Sequence, residues 1–134
     1  MTATKIQTGR MITNMPTPKQ NKNKGKAYER AVRDYLRNVT GLGPGDLDSA
    51  VGCENNVDIK LSPAARKLLP LSIECKARKD LDIPSWIRQA ESNTMEGTKP
   101  CVVLKTPRKS VGESIVFLTL DNLLALMVTK DEIK

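Results

Sequence analysis

Glu74 and Lys76 stand two residues apart in the run Leu71-Ser72-Ile73-Glu74-Cys75-Lys76-Ala77. In a strand, side chains alternate between two faces, so Ser72, Glu74 and Lys76 share one face while Leu71, Ile73, Cys75 and Ala77 share the other. A shorter run, Val57-Asp58-Ile59-Lys60-Leu61, repeats the pattern with Asp58 and Lys60 on the polar side. If the two runs pair, Asp58 and Glu74 converge on one open face with Lys76 beside them. Two carboxylates, joined by the backbone carbonyl of Cys75, are hard oxygen donors of the kind Mg²⁺ prefers. Such an ion can make water nucleophilic and offset charge at a phosphodiester, and an adjacent ammonium can orient that water. Glu-x-Lys on a solvated strand also occurs with no role at all. The case strengthens only when Asp58 and a third acid, Glu29, are placed with it.

Composition narrows the chemistry. The 134-residue chain has no histidine, which removes histidine acid–base catalysis, the usual Ser/Cys triads and most catalytic zinc sites. Cys53, Cys75 and Cys101 are odd in number and widely spaced, so neither a disulfide framework nor a zinc knuckle is expected. Net charge is +7. Residues 1–28 carry six basic groups and no acid, whereas the rest of the chain sets sixteen basic residues against all 15 acidic ones. An arm of that kind suits a polyanion, although basic tails also serve solubility. The N-terminus lacks an apolar secretory segment and no window is long enough to span a bilayer, so a soluble, cytoplasmic protein is expected.

The elements that must position these groups follow in order. Residues 1–23 are polar and basic and are expected to form a flexible arm, leaving 24–134 as a single domain. From about Lys24 to Asn38 the periodicity is helical, with Tyr28, Ala31, Val32, Tyr35, Leu36 and Val39 on one face. Glu29 falls at the border of that face. It is either an ordinary first-turn acid favoured by the helix dipole or a carboxylate reaching into a cleft. Gly41 to Gly45 stops the helix. Asp48 to Cys53 is expected as a short strand, followed by the Asp58 strand. Ser62 then caps a short helical connector starting at Pro63. After the Glu74 strand come a helix over 82–92, a buried strand at Cys101–Leu104, a loop with Arg108 and Lys109, and a strand from Ser114 to Leu120. A final helix capped by Asp121 is expected to turn its leucines to the core. The order predicts an α/β sandwich with a mixed central sheet flanked by helices.

The run Lys24-Gly25-Lys26-Ala27-Tyr28-Glu29-Arg30, then Asp58, then Ile73-Glu74-Cys75-Lys76, resembles the PD-(D/E)xK nuclease superfamily and its restriction-endonuclease-like αβββαβ core. It looks most like the archaeal-type and phage Holliday junction resolvases. The strand Lys99–Lys105 and the strand–helix end from Phe117 to Met127 extend the likeness over residues 24 to 128. Val57 stands where the superfamily name has proline. The resemblance implies Glu29, Asp58 and Glu74 as the acidic set and Lys76 as the catalytic lysine. Mg²⁺, with Mn²⁺ as a substitute, would lie on Asp58, Glu74 and the Cys75 carbonyl, with Glu29 reaching it through water. It also implies a homodimer acting on branched DNA. Such nucleases often set a polar residue on the next helix against the metal, and Gln89 is either that residue or a solvated one. Lys24, Lys26, Arg78 and Lys79 flank the site and, with Arg108 and Lys109, can grip phosphates without reading sequence. Two alternatives stay open: a repair or end-processing nuclease of the same superfamily, and a non-catalytic DNA-binding protein on the same fold.

Overall fold

A computed structural model describes residues 17–50 and 57–128. The expected arm up to residue 16, the residues 51–56 and the cysteine Cys53 lie outside that range. The first helix, α1, runs Pro18–Thr40, six residues earlier than the apolar periodicity indicates. Its start is fixed by a local device instead. Thr17 accepts from the Gln20 backbone N–H while the Gln20 side chain accepts from the Thr17 N–H, and Pro18 occupies the first turn. At the other end Gly41 adopts a left-handed conformation (φ 77°) and its N–H closes on the Arg37 carbonyl, as the glycine-rich stop predicts. Tyr28 and Val32 are buried and Leu36 packs beside them, but Tyr35 and Val39 are exposed.

Strand β1 (Leu47–Ser49) pairs antiparallel with β2 (Ile59–Leu61). A short helix, α2 (Pro63–Leu68), leads to β3 (Leu71–Lys76), with Ser62 capping through the Ala65 N–H. After α3 (Ile83–Ser92) comes β4 (Lys99–Leu104), parallel to β3, and then β5 (Ile115–Phe117), antiparallel to β4. Helix α4 (Leu120–Met127) closes the described chain. The molecule is therefore α/β, with a three-stranded mixed sheet β3-β4-β5 flanked by helices and a separate two-stranded ribbon.

The core forms on both faces of β4, which explains its unbroken apolar run. Cys101 and Val103 join Ile73, Cys75, Tyr28, Val32 and Ile59 on the α1 side. Val102 and Leu104 join Trp86 and Ala90 on the α3 side. Because Glu74 is in register with Val102, the polar face of β3 is the face that α3 covers. It is not open: Ser72 and Glu74 are both buried. Ser72 is satisfied locally, bonding Thr98 Oγ1 at 2.6 Å and accepting from the Met95 N–H at 2.8 Å. Replacing Ser72 by Ala leaves the half-buried Met95 N–H without its acceptor, while Thr98 Oγ1 keeps its bond to the Met95 carbonyl, and urea unfolding is expected to show a loss of about 1–2 kcal/mol.

Two further expectations are corrected. The Asp58 and Glu74 runs do not pair as strands; among the described residues β2 ladders only with β1, and Asp58 lies just before it. The last helix is capped by Thr119, which accepts from the Asn122 N–H, so Leu120 belongs to the helix and β5 ends at Phe117. Its leucines do not all turn to the core: Leu120, Leu123 and Leu124 are exposed, and Leu126 alone among them is half-buried.

Candidate active site

What joins the two runs is a side chain. The carboxylate of Asp58 accepts a 2.7 Å hydrogen bond from the Cys75 N–H, taking the place that a neighbouring strand's carbonyl would fill along the edge of β3. This contact brings Asp58 against Glu74, close enough for each carboxyl to affect the other's protonation. Glu74 is only 5 % exposed. Burial, then the Asp58 charge, pushes its carboxyl up to about 7, against the partial offset of Lys76. Asp58 is also raised, by burial first, with the Cys75 N–H, Lys76 and Lys26 opposing. The pair is thus two acids that resist ionising together.

Lys76 reaches back over this pair, with Nζ 3.5 Å from Glu74 Oε2. The same ammonium donates to Gln89 Oε1 at 3.0 Å and lies 5.8 Å from the centre of the Trp86 ring. Helix α3 therefore holds the lysine from two sides, by a hydrogen bond and by a cation–π contact. Trp86 is buried in the core on the α3 side and also forms a wall of the site.

Glu29 is buried on α1 and raised, by burial and then by the Asp58 charge. Its direct partner is Lys26, whose Nζ lies 3.4 Å from Oε1. Lys26 also acts electrostatically on Asp58, which places it beside the acids and not only on the outer face of the helix. Among the described residues no group of three or more acidic or cysteine side chains is arranged to hold an ion. The meeting that the structure does provide is Asp58 with Glu74. That pair fits a hard divalent cation: two sets of carboxylate oxygens, Glu74 buried and Asp58 half-buried, whose mutual repulsion such a cation would offset. The Cys75 thiol belongs to the opposite face, in the core with Cys101, and burial holds its pKa well above the ordinary thiol value.

Next to the pair opens a cleft of about 560 Å³ floored by Cys75 and Lys76 and walled by Lys22, Lys24, Arg78 and Lys79. A second hollow of about 170 Å³ shares Lys24 and adds Lys105 and Lys109, with Tyr28 and Ser114 between them. There the Tyr28 hydroxyl donates to Ser114 Oγ at 2.7 Å. Lys109 pairs with Glu113 at 3.7 Å, and Arg108 is exposed on its turn at a φ of 64°. Lys22 and Lys105 are additions that reasoning from the sequence misses. Lys22 is detectable there, since the Thr17–Gln20 capping box extends α1 upstream and puts Lys22 one turn before Lys26.

Residues 20–133 match the family model described as "Phage putative PDDEXK endonuclease". The chain belongs to this phage PDDEXK endonuclease family. No curated protein and no solved structure matches the chain significantly. The family supports the superfamily reached from Glu29, Asp58 and the Glu74–Lys76 run, and with it a nuclease acting on DNA. Members of this superfamily generally use divalent metal ions, in keeping with the hard donors of the Asp58–Glu74 pair. No helix among the described residues is long and apolar enough to cross a membrane.

Proposed function

We propose that this PDDEXK endonuclease is a Mg²⁺-dependent, structure-specific enzyme that resolves four-way DNA junctions by paired phosphodiester hydrolysis, working as a homodimer. The observation that carries the chemistry is the Asp58–Glu74 carboxyl pair, Glu74 buried and Asp58 half-buried, with Lys76 braced above it beside a basic cleft. Asp58, Glu74 and the Cys75 carbonyl would hold the ion, with Glu29 reaching it through water. A bound Mg²⁺ or Mn²⁺ supplies a more acidic water and charge compensation at the phosphate.

The chain's own residues do the rest. Lys22, Lys24, Arg78 and Lys79 hold the DNA backbone along the cleft, giving affinity that falls with salt and carries little sequence preference. Lys76 presents an ammonium where the attacking oxygen and the phosphoryl oxygens gain charge, and Gln89 keeps that ammonium aimed. Lys26 and Glu29 balance charge on the α1 side. Resolution needs cuts on two opposed strands, and a two-fold pair of identical sites meets that need.

A synthetic four-way junction with Mg²⁺ tests the reading. The expected products are symmetrically nicked duplexes that disappear in EDTA. Indiscriminate digestion of linear DNA would point instead to an end-processing nuclease, and tight binding without cutting in Mg²⁺ or Mn²⁺ to a non-catalytic binder.

A further inference from the structure

Helix α4 turns most of its apolar surface outward. An amphipathic helix on a small domain buries its apolar stripe. Here Leu120, Leu123, Leu124 and Met127, at i, i+3, i+4 and i+7, are all exposed, with Leu120 and Met127 each 69 % open. The sheltered side carries only Asn122 and Leu126, and both are half-buried. One leucine therefore docks the helix on its own domain, and the wider apolar stripe is left without a partner there. Ile115 and Val116, on opposite faces of β5, the last strand of the sheet, and Val128 after the helix are exposed as well. Ordinary surface leucines are scattered singly; a continuous stripe of this kind marks an interface.

We propose that the α4 stripe, together with the β5 edge, is the surface through which two copies of this chain pair about a two-fold axis. The inference gives a location to the homodimer proposed above and rests on that reading only for the choice of a second copy. Three features favour that occupant. A single stripe along a short helix is self-complementary when the helix meets its own copy antiparallel, as a two-fold axis requires. From their fractional exposures, the helix residues and one face of β5 offer about 500 Å² per chain, hence about 1,000 Å² for a pair, at the lower bound for a specific interface. The segment Leu120–Val128 contains no cation and only one acid, Asp121, so it has nothing to seat DNA or an anionic lipid surface. Helix α4 also follows β5, whereas the carboxyl pair lies at β3, with β4 between them. Pairing there is away from the β3 side, where each copy carries the cleft beside Lys76.

Sedimentation equilibrium on the full chain, without DNA or metal, is the test. The expected result is a dimer mass at micromolar concentration. Leu120→Glu with Leu124→Glu should raise the dissociation constant by at least about a hundredfold, since both charges would enter the interface. Far-UV circular dichroism should be unchanged because both positions are exposed. If the acidic variant loses its fold, Leu120→Ala with Leu124→Ala takes its place, with an expected weakening of about tenfold. A wild-type monomer across the concentration range overturns the proposal, as does a dimer whose affinity neither folded variant changes. The nuclease reading fails separately: a dimer that never cuts leaves this interface standing, and a monomer that resolves junctions removes the interface and leaves the active site.

Discussion

Asp58→Asn and Glu74→Gln each lower the single-turnover rate of DNA cleavage by about a thousandfold or more, while DNA affinity in EDTA stays within a few-fold of wild type. The variants remove an acidic oxygen from the pair but leave Lys22, Lys24, Arg78 and Lys79 in place along the cleft. The same substitutions have an opposite effect on the metal-free fold. Glu74 titrates at about 4.3 in an unfolded chain. In the folded chain its proton is held up to about 7. Between those values the folded state binds more protons than the unfolded one. Its contribution to stability is therefore complete below the lower value, falls as pH rises, and is gone above the upper one. At pH 8 the ionised pair opposes folding, and Glu74→Gln relieves that. In EDTA the variant is expected to be more stable than wild type by about 2 kcal/mol at pH 8, after allowance for screening at the cleft, and no more stable at pH 4. Thermal unfolding at the two pH values reads this out. A variant that is inactive and also destabilised at pH 8 would mean that Glu74 supports the fold as an ordinary charge.

Lys76→Ala lowers cleavage by about a hundredfold to a thousandfold without abolishing divalent-ion binding. The ammonium is 3.5 Å from Glu74 and helps to hold that carboxyl ionised, so its loss moves the Glu74 titration further upward. The pH at which activity rises should shift upward in the variant. Gln89→Ala removes the 3.0 Å acceptor and lets the ammonium wander, with a smaller expected loss of about tenfold. Equal losses in Mn²⁺ affinity and in rate for Lys76→Ala would assign the lysine to holding the carboxylates and not to the reacting atoms.

Much of the fold and the site is legible in the amino-acid sequence, because the signals are local. Alternation along Leu71–Lys76 puts Glu74 and Lys76 on one face, and the glycines after Thr40 end α1 where the structure ends it. The apolar run Cys101–Leu104 reads correctly as a strand buried on both sides. The misses have a common origin in contacts between distant residues. Alternation says which residues share a face but not which strands pair, so the Asp58 carboxylate bridging to the Cys75 N–H leaves no trace in it. The coverage of that face by α3 likewise depends on register between β3 and β4, which no local pattern contains. The leucines of α4 show the limit most plainly. Their spacing marks a helix with an apolar side, but spacing cannot say whether that side meets the chain's own core or, as with Leu120, Leu123 and Leu124, faces away from it.

If Asp58 and Glu74 together hold one divalent cation, Mn²⁺ titration of the DNA-free protein, followed by isothermal calorimetry and by electron paramagnetic resonance of free Mn²⁺, detects it. The expected result is one site in the wild type that is lost in both Asp58→Asn and Glu74→Gln and kept in Lys76→Ala. Mn²⁺ binding that is undiminished in the two carboxylate variants would contradict it.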